Sequence, residues 1–116
     1  MAKQDCLFCR IAAGEIPADI VHEDDEVIAF RDVSPKAPTH ILIIPRQHIT
    51  SVASLTEANG PMLGRLFAVA AELARDEGIA RSGFRMTTNS GAGAGQSVPH
   101  LHFHLMGGRQ MGWPPG

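Results

Sequence analysis

The segment that most constrains the fold of this chain is residues 99–106, in which three histidines alternate with three large apolar residues. Successive side chains on a β-strand point to opposite faces of the sheet. The histidines are therefore expected on one face, about 6–7 Å apart along the strand, with the apolar side chains turned to a core on the other face. The histidines are His100, His102 and His104, and the apolar residues are Leu101, Phe103 and Leu105.

The composition indicates one globular domain over residues 1–116. A chain of 116 residues is long enough to bury a core but too short for two domains. Hydrophobic residues make up 44% of it and charged residues 19%, which excludes a disordered chain. The net charge of −2 gives no reason to expect nucleic acid or an anionic membrane as a partner. Residues 66–71 form the longest apolar run, too short for a membrane span, and residues 1–5 lack a signal-peptide pattern, so a cytoplasmic protein is expected.

The remaining residues predict two helices and about five short strands. Asp5 can cap a short helix that ends at Gly14, and Asn59 can cap a long helix over residues 61–77. The predicted strands are residues 20–22, 27–31, 40–45, 84–89 and 99–106. Because only one helix separates the strands, the pattern favours an α+β fold with a mostly antiparallel sheet.

A loop rich in glycine and alanine, residues 90–97, leads directly into the histidine segment. Such small residues and backbone N–H groups suit the close approach of phosphate oxygens. Three alternating histidines have three possible uses: a solvated polar face, a metal centre, or covalent catalysis. In the last case a neutral imidazole attacks phosphorus while its other nitrogen is held protonated by a hydrogen bond. The adjacent glycine loop favours this third use.

The sequence HLHFHLM at residues 100–106 matches the histidine-triad signature, in which histidines alternate with apolar residues. Together with residues 32–40 and 95–98, and above all with the tail at residues 107–116, it resembles the Hint branch of the histidine triad (HIT) superfamily. The resemblance covers nearly the whole chain. It implies the α+β HIT fold, with about five mostly antiparallel strands, one short N-terminal helix and one long helix.

The resemblance implies a purine nucleoside 5′-phosphoramidate hydrolase that releases a nucleoside monophosphate and an amine, without any cofactor for catalysis. His102 corresponds to the nucleophile that forms a covalent nucleotidyl adduct. His104 and His100 would contact phosphate. Ser97 would lie near the leaving amine, and His40 would join a proton relay. The alternatives are a dinucleoside polyphosphate hydrolase with the same nucleophile, and a nucleotide-binding or scaffold protein whose turnover is incidental.

The resemblance also implies a nucleotide pocket, in which Asp32 would accept hydrogen bonds from the ribose hydroxyls. The positions near phosphate or sugar are Asn89, Gly95, Gln96 and Ser97, and those around the base are Leu7, Phe8, Ile11, Phe30, Val33 and Leu42. Simpler explanations exist for several of them. Asp32 can cap the turn at Ser34, His40 can end a strand, and Asn89 can form a turn. The apolar positions of a short amphipathic helix would face a core in any fold.

A second candidate site contains the two cysteines, Cys6 and Cys9, whose C-x-x-C spacing suggests a metal or redox pair. With His48 and His100 they can complete a Cys₂His₂ zinc site, an arrangement that some bacterial HIT proteins use. Such a zinc ion would be structural and would pin the N-terminal helix to the sheet. The alternatives are plain buried thiols and a redox pair, although no βαβ pattern surrounds the cysteines.

The resemblance implies a homodimer, because in relatives the long helix, residues 84–89 and the C-terminal tail form the interface. Two residues depart from the family pattern. Pro99 stands where an aromatic residue is usual, and Gly112 stands where eukaryotic relatives often have histidine. Proline is tolerated at the first residue of a strand, so Gly112 is the departure that bears on substrate preference.

Overall fold

The computed structural model describes residues 5–116, which form one antiparallel sheet and two α-helices. In chain order the elements are α1 (Leu7–Ala12), β1 (Ile20–Glu23), β2 (Val27–Arg31), β3 (Thr39–Pro45), α2 (Gly60–Asp76), β4 (Phe84–Thr87) and β5 (Phe103–Gly107). The order of strands across the sheet is β1-β2-β3-β5-β4. This confirms the expected α+β architecture. No helix among the described residues is long and apolar enough to cross a membrane; residues 1–4 of the segment considered for targeting lie outside them.

Strand β3 is the middle of the sheet and is buried along its whole length. In its pairing with β5, His40 lies opposite Met106 and Leu42 lies opposite His104. Directly opposed residues of an antiparallel pair share a face, as do alternate residues of one strand. His40, Leu42 and His104 therefore lie on the same face, so the register of two neighbouring strands brings an upstream histidine beside the histidine segment.

The two faces of the sheet cover two separate apolar cores. The larger core lies between the sheet and α2, and it includes Leu101, Phe103 and Leu105. The smaller core lies under α1 and includes Phe8 and Ile11. The apolar half of the alternating segment therefore faces α2 and the histidine half faces α1, which confirms the predicted division between the faces.

The regular strand within residues 99–106 is shorter than predicted, because β5 begins only at Phe103. Ahead of it, the backbone N–H of Leu101 donates to the carbonyl of Ile49 (2.6 Å), and that of His100 donates to Val98 (2.8 Å). These donors are therefore used outside the β3–β5 ladder. The side chains still alternate between the two faces, so the departure concerns the backbone rather than the placement of the histidines.

The helix ends differ from the prediction in two places. Cys6, rather than Asp5, caps α1, and its Sγ accepts a hydrogen bond from the Cys9 N–H (3.4 Å). Asn59 makes no side-chain cap on α2, because its Oδ1 accepts from the Thr56 N–H (2.9 Å) in the preceding 3₁₀ turn. Gly14 follows α1 with φ of +77°, the left-handed conformation expected after a helix end. The bounds of α2 and of β1 to β4 agree with prediction to within two residues.

Candidate active site

The three histidines of the alternating segment place their rings in a row on the α1 side of the sheet. The ring centroids of His102 and His104 are 5.2 Å apart. Phe8 of α1 packs edge-on against His102 at 5.0 Å and against His100 at 5.9 Å. Since one helix residue touches two of the rings and the third is their neighbour, the row predicted from the alternation is present.

The His102 ring is fixed in a single tautomer by the backbone. Its Nδ1 lies 2.7 Å from the carbonyl oxygen of His100. A carbonyl only accepts, so Nδ1 carries the proton and Nε2 of the uncharged ring carries the lone pair. The residue is 5% exposed, and Thr88 further anchors its backbone by donating from Oγ1 to the His102 carbonyl (2.8 Å). An imidazole held in this way has the form that a nucleophilic histidine requires.

A second pair of rings, His40 and His104, is oriented by the same kind of argument. The Lys36 backbone N–H donates to His40 Nδ1 (3.0 Å), so the proton of the uncharged His40 ring is on Nε2. That Nε2–H donates to His104 Nδ1 at 2.9 Å. His104 therefore carries its own proton on Nε2, where it can serve as a hydrogen-bond donor. We call His40, His102 and His104 the histidine cluster.

The protonation of the histidine cluster follows from its burial. Burial, with a smaller effect of the nearby His102 and His40 rings, lowers the pKa of His104 to about 4. Burial also lowers the pKa of His40, against an opposing effect of the Asp32 carboxylate. Both His40 and His104 are therefore uncharged near neutral pH, which preserves the N–H···N hydrogen bond between them.

Asp32 has two roles in this region. Its Oδ1 accepts from the Ser34 N–H (2.8 Å), which is the turn-capping role that the sequence allowed. Its Oδ2 lies 3.5 Å from His40 Nε2. The ligand atoms of Asp32, His40 and His104 lie within 4.8 Å of one another, as they would in a metal site. The Lys36 N–H argues against that use, because it keeps the proton on the His40 nitrogen that would have to bind the metal.

The four residues predicted to bind zinc also come together, and we call them the cysteine–histidine cluster: Cys6, Cys9, His48 and His100. Their ligand atoms lie within 4.8 Å of one another. Cys6 Sγ is 3.3 Å from His100 Nδ1, and Cys9 Sγ is 3.2 Å from His48 Nδ1 and 3.5 Å from His100 Nδ1. The usual Zn–S and Zn–N bond lengths give a sulfur–nitrogen separation of about 3.5 Å in a tetrahedral site, so the donors present fit a zinc ion.

The tautomer of His100 supports the same conclusion. Its Nε2 lies 2.8 Å from the carbonyl oxygen of Pro45, so Nε2 carries the proton and Nδ1 presents a lone pair to the two sulfur atoms. A backbone carbonyl that orients a histidine in this way is a common outer partner of metal ligands. The His100 ring is completely buried, and both of its nitrogens are engaged within the chain. The expectation that this ring contacts phosphate therefore does not fit the geometry.

The glycine loop beside the histidines is held in place by the side chain of Gln96. Its Oε1 accepts from the Gly91 N–H (2.8 Å), and its Nε2 donates to the carbonyls of Thr50 (2.8 Å) and Val98 (3.0 Å). Gly91 and Gly95 have φ of +88° and +86°, which favours glycine at both positions. Gln96 thus shapes the loop with its side chain, a role that the sequence did not reveal.

A cavity of about 470 Å³ opens between α1 and the edge of the sheet. All six residues predicted to surround the base line it. Its lining consists of Leu7, Phe8, Ile11, Ile16, Pro17, Ala18, Asp19, Phe30, Arg31, Asp32, Val33 and Leu42. Since most of these side chains are apolar and Asp32 is acidic, the cavity suits a flat apolar group attached to a hydroxylated one.

The contribution of residues 16–19 to this cavity could not be predicted from the sequence. They lie in the connection between α1 and β1, and nothing in their spacing indicates which face of the sheet they cover. The sequence also missed the oriented backbone groups of Lys36, Pro45 and His100, because hydrogen bonding to main-chain atoms leaves no signal in residue type. Ser97 and Asn89 flank the glycine loop, Ser97 exposed and Asn89 half-buried.

The family model described as "HIT domain" matches residues 13–111 of the chain. The chain is 49% identical over 109 residues to the purine nucleoside phosphoramidase of Escherichia coli, covering 94% of this chain and 92% of that protein. It therefore belongs to the HIT domain family.

Solved structures agree with this assignment. A HIT family hydrolase of Legionella pneumophila superposes with a TM-score of 0.94 at 50% identity, covering 96% of this chain and 99% of that one. A histidine triad nucleotide-binding protein of Candida albicans superposes with a TM-score of 0.79 at 30% identity, covering 94% and 82%. The fold is thus shared with a bacterial HIT family hydrolase and with a fungal histidine triad nucleotide-binding protein.

Proposed function

We propose that this protein hydrolyses purine nucleoside 5′-phosphoramidates through a covalent nucleotidyl adduct on His102. The observation that carries the proposal is the 2.7 Å hydrogen bond from His102 Nδ1–H to the His100 carbonyl, which leaves the lone pair on Nε2. The name of the E. coli relative, purine nucleoside phosphoramidase, supports the choice of substrate.

The reaction has two displacements at the α-phosphorus. In the first, His102 Nε2 forms a bond to phosphorus while the bond between phosphorus and the amine nitrogen breaks. The departing amine takes up a proton from solvent, and the attacking water of the second step returns one. In the second, water attacks the same phosphorus, the bond to His102 breaks, and the nucleoside monophosphate leaves. The Nε2 lone pair is thereby restored.

The neighbouring groups divide the remaining tasks. His104 Nε2–H donates to a phosphoryl oxygen, and it is held for this by the hydrogen bond from His40 (2.9 Å). The Ser97 hydroxyl lies beside the phosphate and the leaving amine in this proposal, whereas the N–H groups of Ala94, Gly95 and Gln96 already donate to carbonyls within the glycine loop. The base occupies the apolar cavity beneath α1, where Phe8, Phe30 and Leu42 form walls, and Asp32 binds the ribose hydroxyls.

A substrate panel tests the proposal. Steady-state rates are measured on the phosphoramidates of AMP, GMP, CMP and UMP, and on diadenosine tetraphosphate. We expect the two purine phosphoramidates to give the highest kcat/KM. Faster hydrolysis of diadenosine tetraphosphate would overturn the proposal in favour of a dinucleoside polyphosphate hydrolase. Binding of AMP without turnover of any compound would instead indicate a nucleotide-binding protein.

The cysteine–histidine cluster is the proposed site of a structural zinc ion. Two sulfur and two nitrogen donors are present at separations that suit tetrahedral zinc. The ion would hold α1 against the sheet and take no part in the displacement at phosphorus. Metal analysis of protein purified without added zinc tests this, and the expected result is one zinc ion per chain.

A homodimer and a cytoplasmic location complete the proposal. Strand β4 is at the edge of the sheet, and large apolar side chains are exposed on and near it, with Phe67 47%, Phe84 38% and Trp113 84% exposed. An uncovered apolar edge favours association, so light scattering is expected to give twice the mass of one chain. Cys6 and Cys9, at the proposed zinc site, suit a reducing compartment.

A further inference from the structure

We propose that the cysteine–histidine cluster positions the nucleophile: Cys6, Cys9 and His48 hold His100, and His100 holds the His102 ring in its reactive tautomer. The two clusters are then functionally coupled, rather than being a structural site and a separate catalytic site. The activity part of the test below rests on the proposed function, whereas its spectroscopic part does not.

The first step of the argument is that His100 belongs to both clusters. Its side-chain Nδ1 faces Cys6 Sγ (3.3 Å) and Cys9 Sγ (3.5 Å), while its backbone carbonyl accepts the Nδ1–H of His102 (2.7 Å). The ring is completely buried and is also tied to Pro45 through Nε2. A shift of the His100 side chain therefore acts on the carbonyl that selects the tautomer of His102, together with the hydrogen bond from the Leu101 N–H to Ile49 (2.6 Å) that holds the same peptide group.

The second step concerns Phe8, which connects the clusters along another route. It lies on α1 between Cys6 and Cys9, and its ring packs on both His100 (5.9 Å) and His102 (5.0 Å). A helix of six residues is not stable in water on its own, and its N-cap is Cys6 Sγ itself. Whatever holds Cys6 and Cys9 in place therefore also holds Phe8 against the nucleophile.

If the cysteine–histidine cluster no longer holds His100 in place, kcat and KM should both change, each for its own reason. The His102 ring would exchange between tautomers, which lowers kcat, because only the Nδ1–H form presents a lone pair at Nε2. The α1 wall of the cavity would loosen at the same time, which raises KM. Loss of an outer partner that orients a functional imidazole typically changes activity about 10–100-fold, and we expect a decrease in kcat of that size.

The test follows the His102 ring by NMR in protein labelled with ¹⁵N-histidine, under reducing conditions, with one equivalent of Zn²⁺ or after treatment with a chelator. With Zn²⁺, we expect the chemical shifts of a single Nδ1–H tautomer. After chelation, or in His48→Ala, we expect averaged shifts of two tautomers together with the decrease in kcat. If His48→Ala does not fold, His48→Gln replaces it and is judged by the same criteria.

Two further variants separate positioning from general stability. His48→Cys supplies a third sulfur donor near the place of Nδ1, since Sγ is one bond closer to the backbone but forms a longer bond to zinc; it is expected to restore both the single tautomer and kcat. Leu73→Ala weakens the opposite core, where Leu73 is buried in α2, and is expected to leave both unchanged.

The proposal is overturned if the His102 tautomer and kcat are the same with Zn²⁺, after chelation and in the His48 variants. It is also overturned if Leu73→Ala changes the His102 tautomer as much as His48→Ala does, because the effect would then follow stability alone. If the parent protein hydrolyses no phosphoramidate, the proposed function fails, but the tautomer measurement still decides whether the cysteine–histidine cluster controls His102.

Discussion

The histidine cluster and the cysteine–histidine cluster lie side by side on one face of the sheet, yet their imidazoles are prepared for different chemistry. In the histidine cluster, every ring is arranged by N–H donors and acceptors, and His102 keeps Nε2 for an outside electrophile. In the cysteine–histidine cluster, the Nδ1 atoms of His48 and His100 instead point toward thiol sulfur atoms. The first arrangement suits attack on phosphorus, and the second suits a metal ion.

The difference arises mainly from backbone groups. A carbonyl at Nδ1 makes Nε2 of His102 the open nitrogen, whereas a carbonyl at Nε2 makes Nδ1 of His100 the open one. An N–H group at Nδ1 of His40 has the same effect as a carbonyl at Nε2, because both place the proton on Nε2 and make that nitrogen the donor. Residue type alone therefore does not decide what a histidine does here; the main-chain atom it faces does.

The largest expected effect is on the histidine cluster. His102→Ala removes the nitrogen that bonds to phosphorus, so kcat/KM for an AMP phosphoramidate should fall by about 10⁴-fold or more. The matched control is His22→Ala, because His22 lies away from both clusters and contacts Asp24 (2.8 Å). Its kcat/KM should stay within about twofold of the parent, because the half-buried His22 belongs to neither cluster. A turnover rate near that of the parent for His102→Ala would contradict the assignment.

The next largest expected effect is that of removing zinc, which should lower the stability of the folded protein. A ligand that binds only the folded state stabilises it by about 4 kcal/mol at 1,000 times its Kd. Chelation should therefore lower the melting temperature of the parent but not that of a Cys6→Ser/Cys9→Ser double variant, which lacks both sulfur donors. Equal melting curves for the parent with and without a chelator would remove the cysteine–histidine cluster as a zinc site.

His104→Asn should have a smaller effect on turnover than loss of the nucleophile. The asparagine Oδ1 can accept from His40 Nε2–H as His104 Nδ1 does (2.9 Å), but the donor at Nε2 is lost. A decrease in kcat of about 100–1,000-fold, with zinc content unchanged, is expected for the loss of one donor to the phosphoryl group. An effect as large as that of His102→Ala would mean that the roles of the two histidines have been exchanged.

The smallest expected effect is the pH dependence of the free energy of unfolding that arises from His104. The pKa of His104 is about 4 in the folded protein because burial disfavours the charged ring, against about 6.5 in an unfolded chain. The unfolded state therefore binds more protons between pH 6.5 and 4, so stability falls as pH falls through this range and changes no further below it. Because the His104 ring is only partly buried, the decrease measured by urea unfolding should be about 1–2 kcal/mol larger in the parent than in His104→Asn. The lowered pKa values of His40 and His100 contribute to the decrease in both proteins. A decrease of the same size in both proteins would assign it to other groups.

The sequence predicted those features that depend on periodicity and on residue identity. Alternation placed the histidine rings on one face and Leu101, Phe103 and Leu105 on the other, and Gly14 marked the end of α1. The C-x-x-C spacing, taken together with the family resemblance, predicted the four members of the cysteine–histidine cluster. These successes are local, or follow from a pattern with few structural solutions.

The predictions that the structure does not bear out concern features that are set by tertiary contacts. Asp5 was expected to cap α1, but Cys6 does so, because its sulfur is already held beside His100 and Cys9. Asn59 is used by the preceding turn instead of by α2. His100 was expected to touch phosphate, and its burial follows from the way α1 folds over it. None of these choices is visible in the order of the residues.

The most direct test of the central claim is to trap the adduct. The parent protein is mixed with an AMP phosphoramidate, quenched within milliseconds under conditions that preserve phosphorus–nitrogen bonds, digested and mapped by mass spectrometry. The account predicts AMP attached to the peptide that contains residues 99–106, with the label on His102 and absent in His102→Ala. Label on His104, or turnover with no labelled histidine at all, would contradict it.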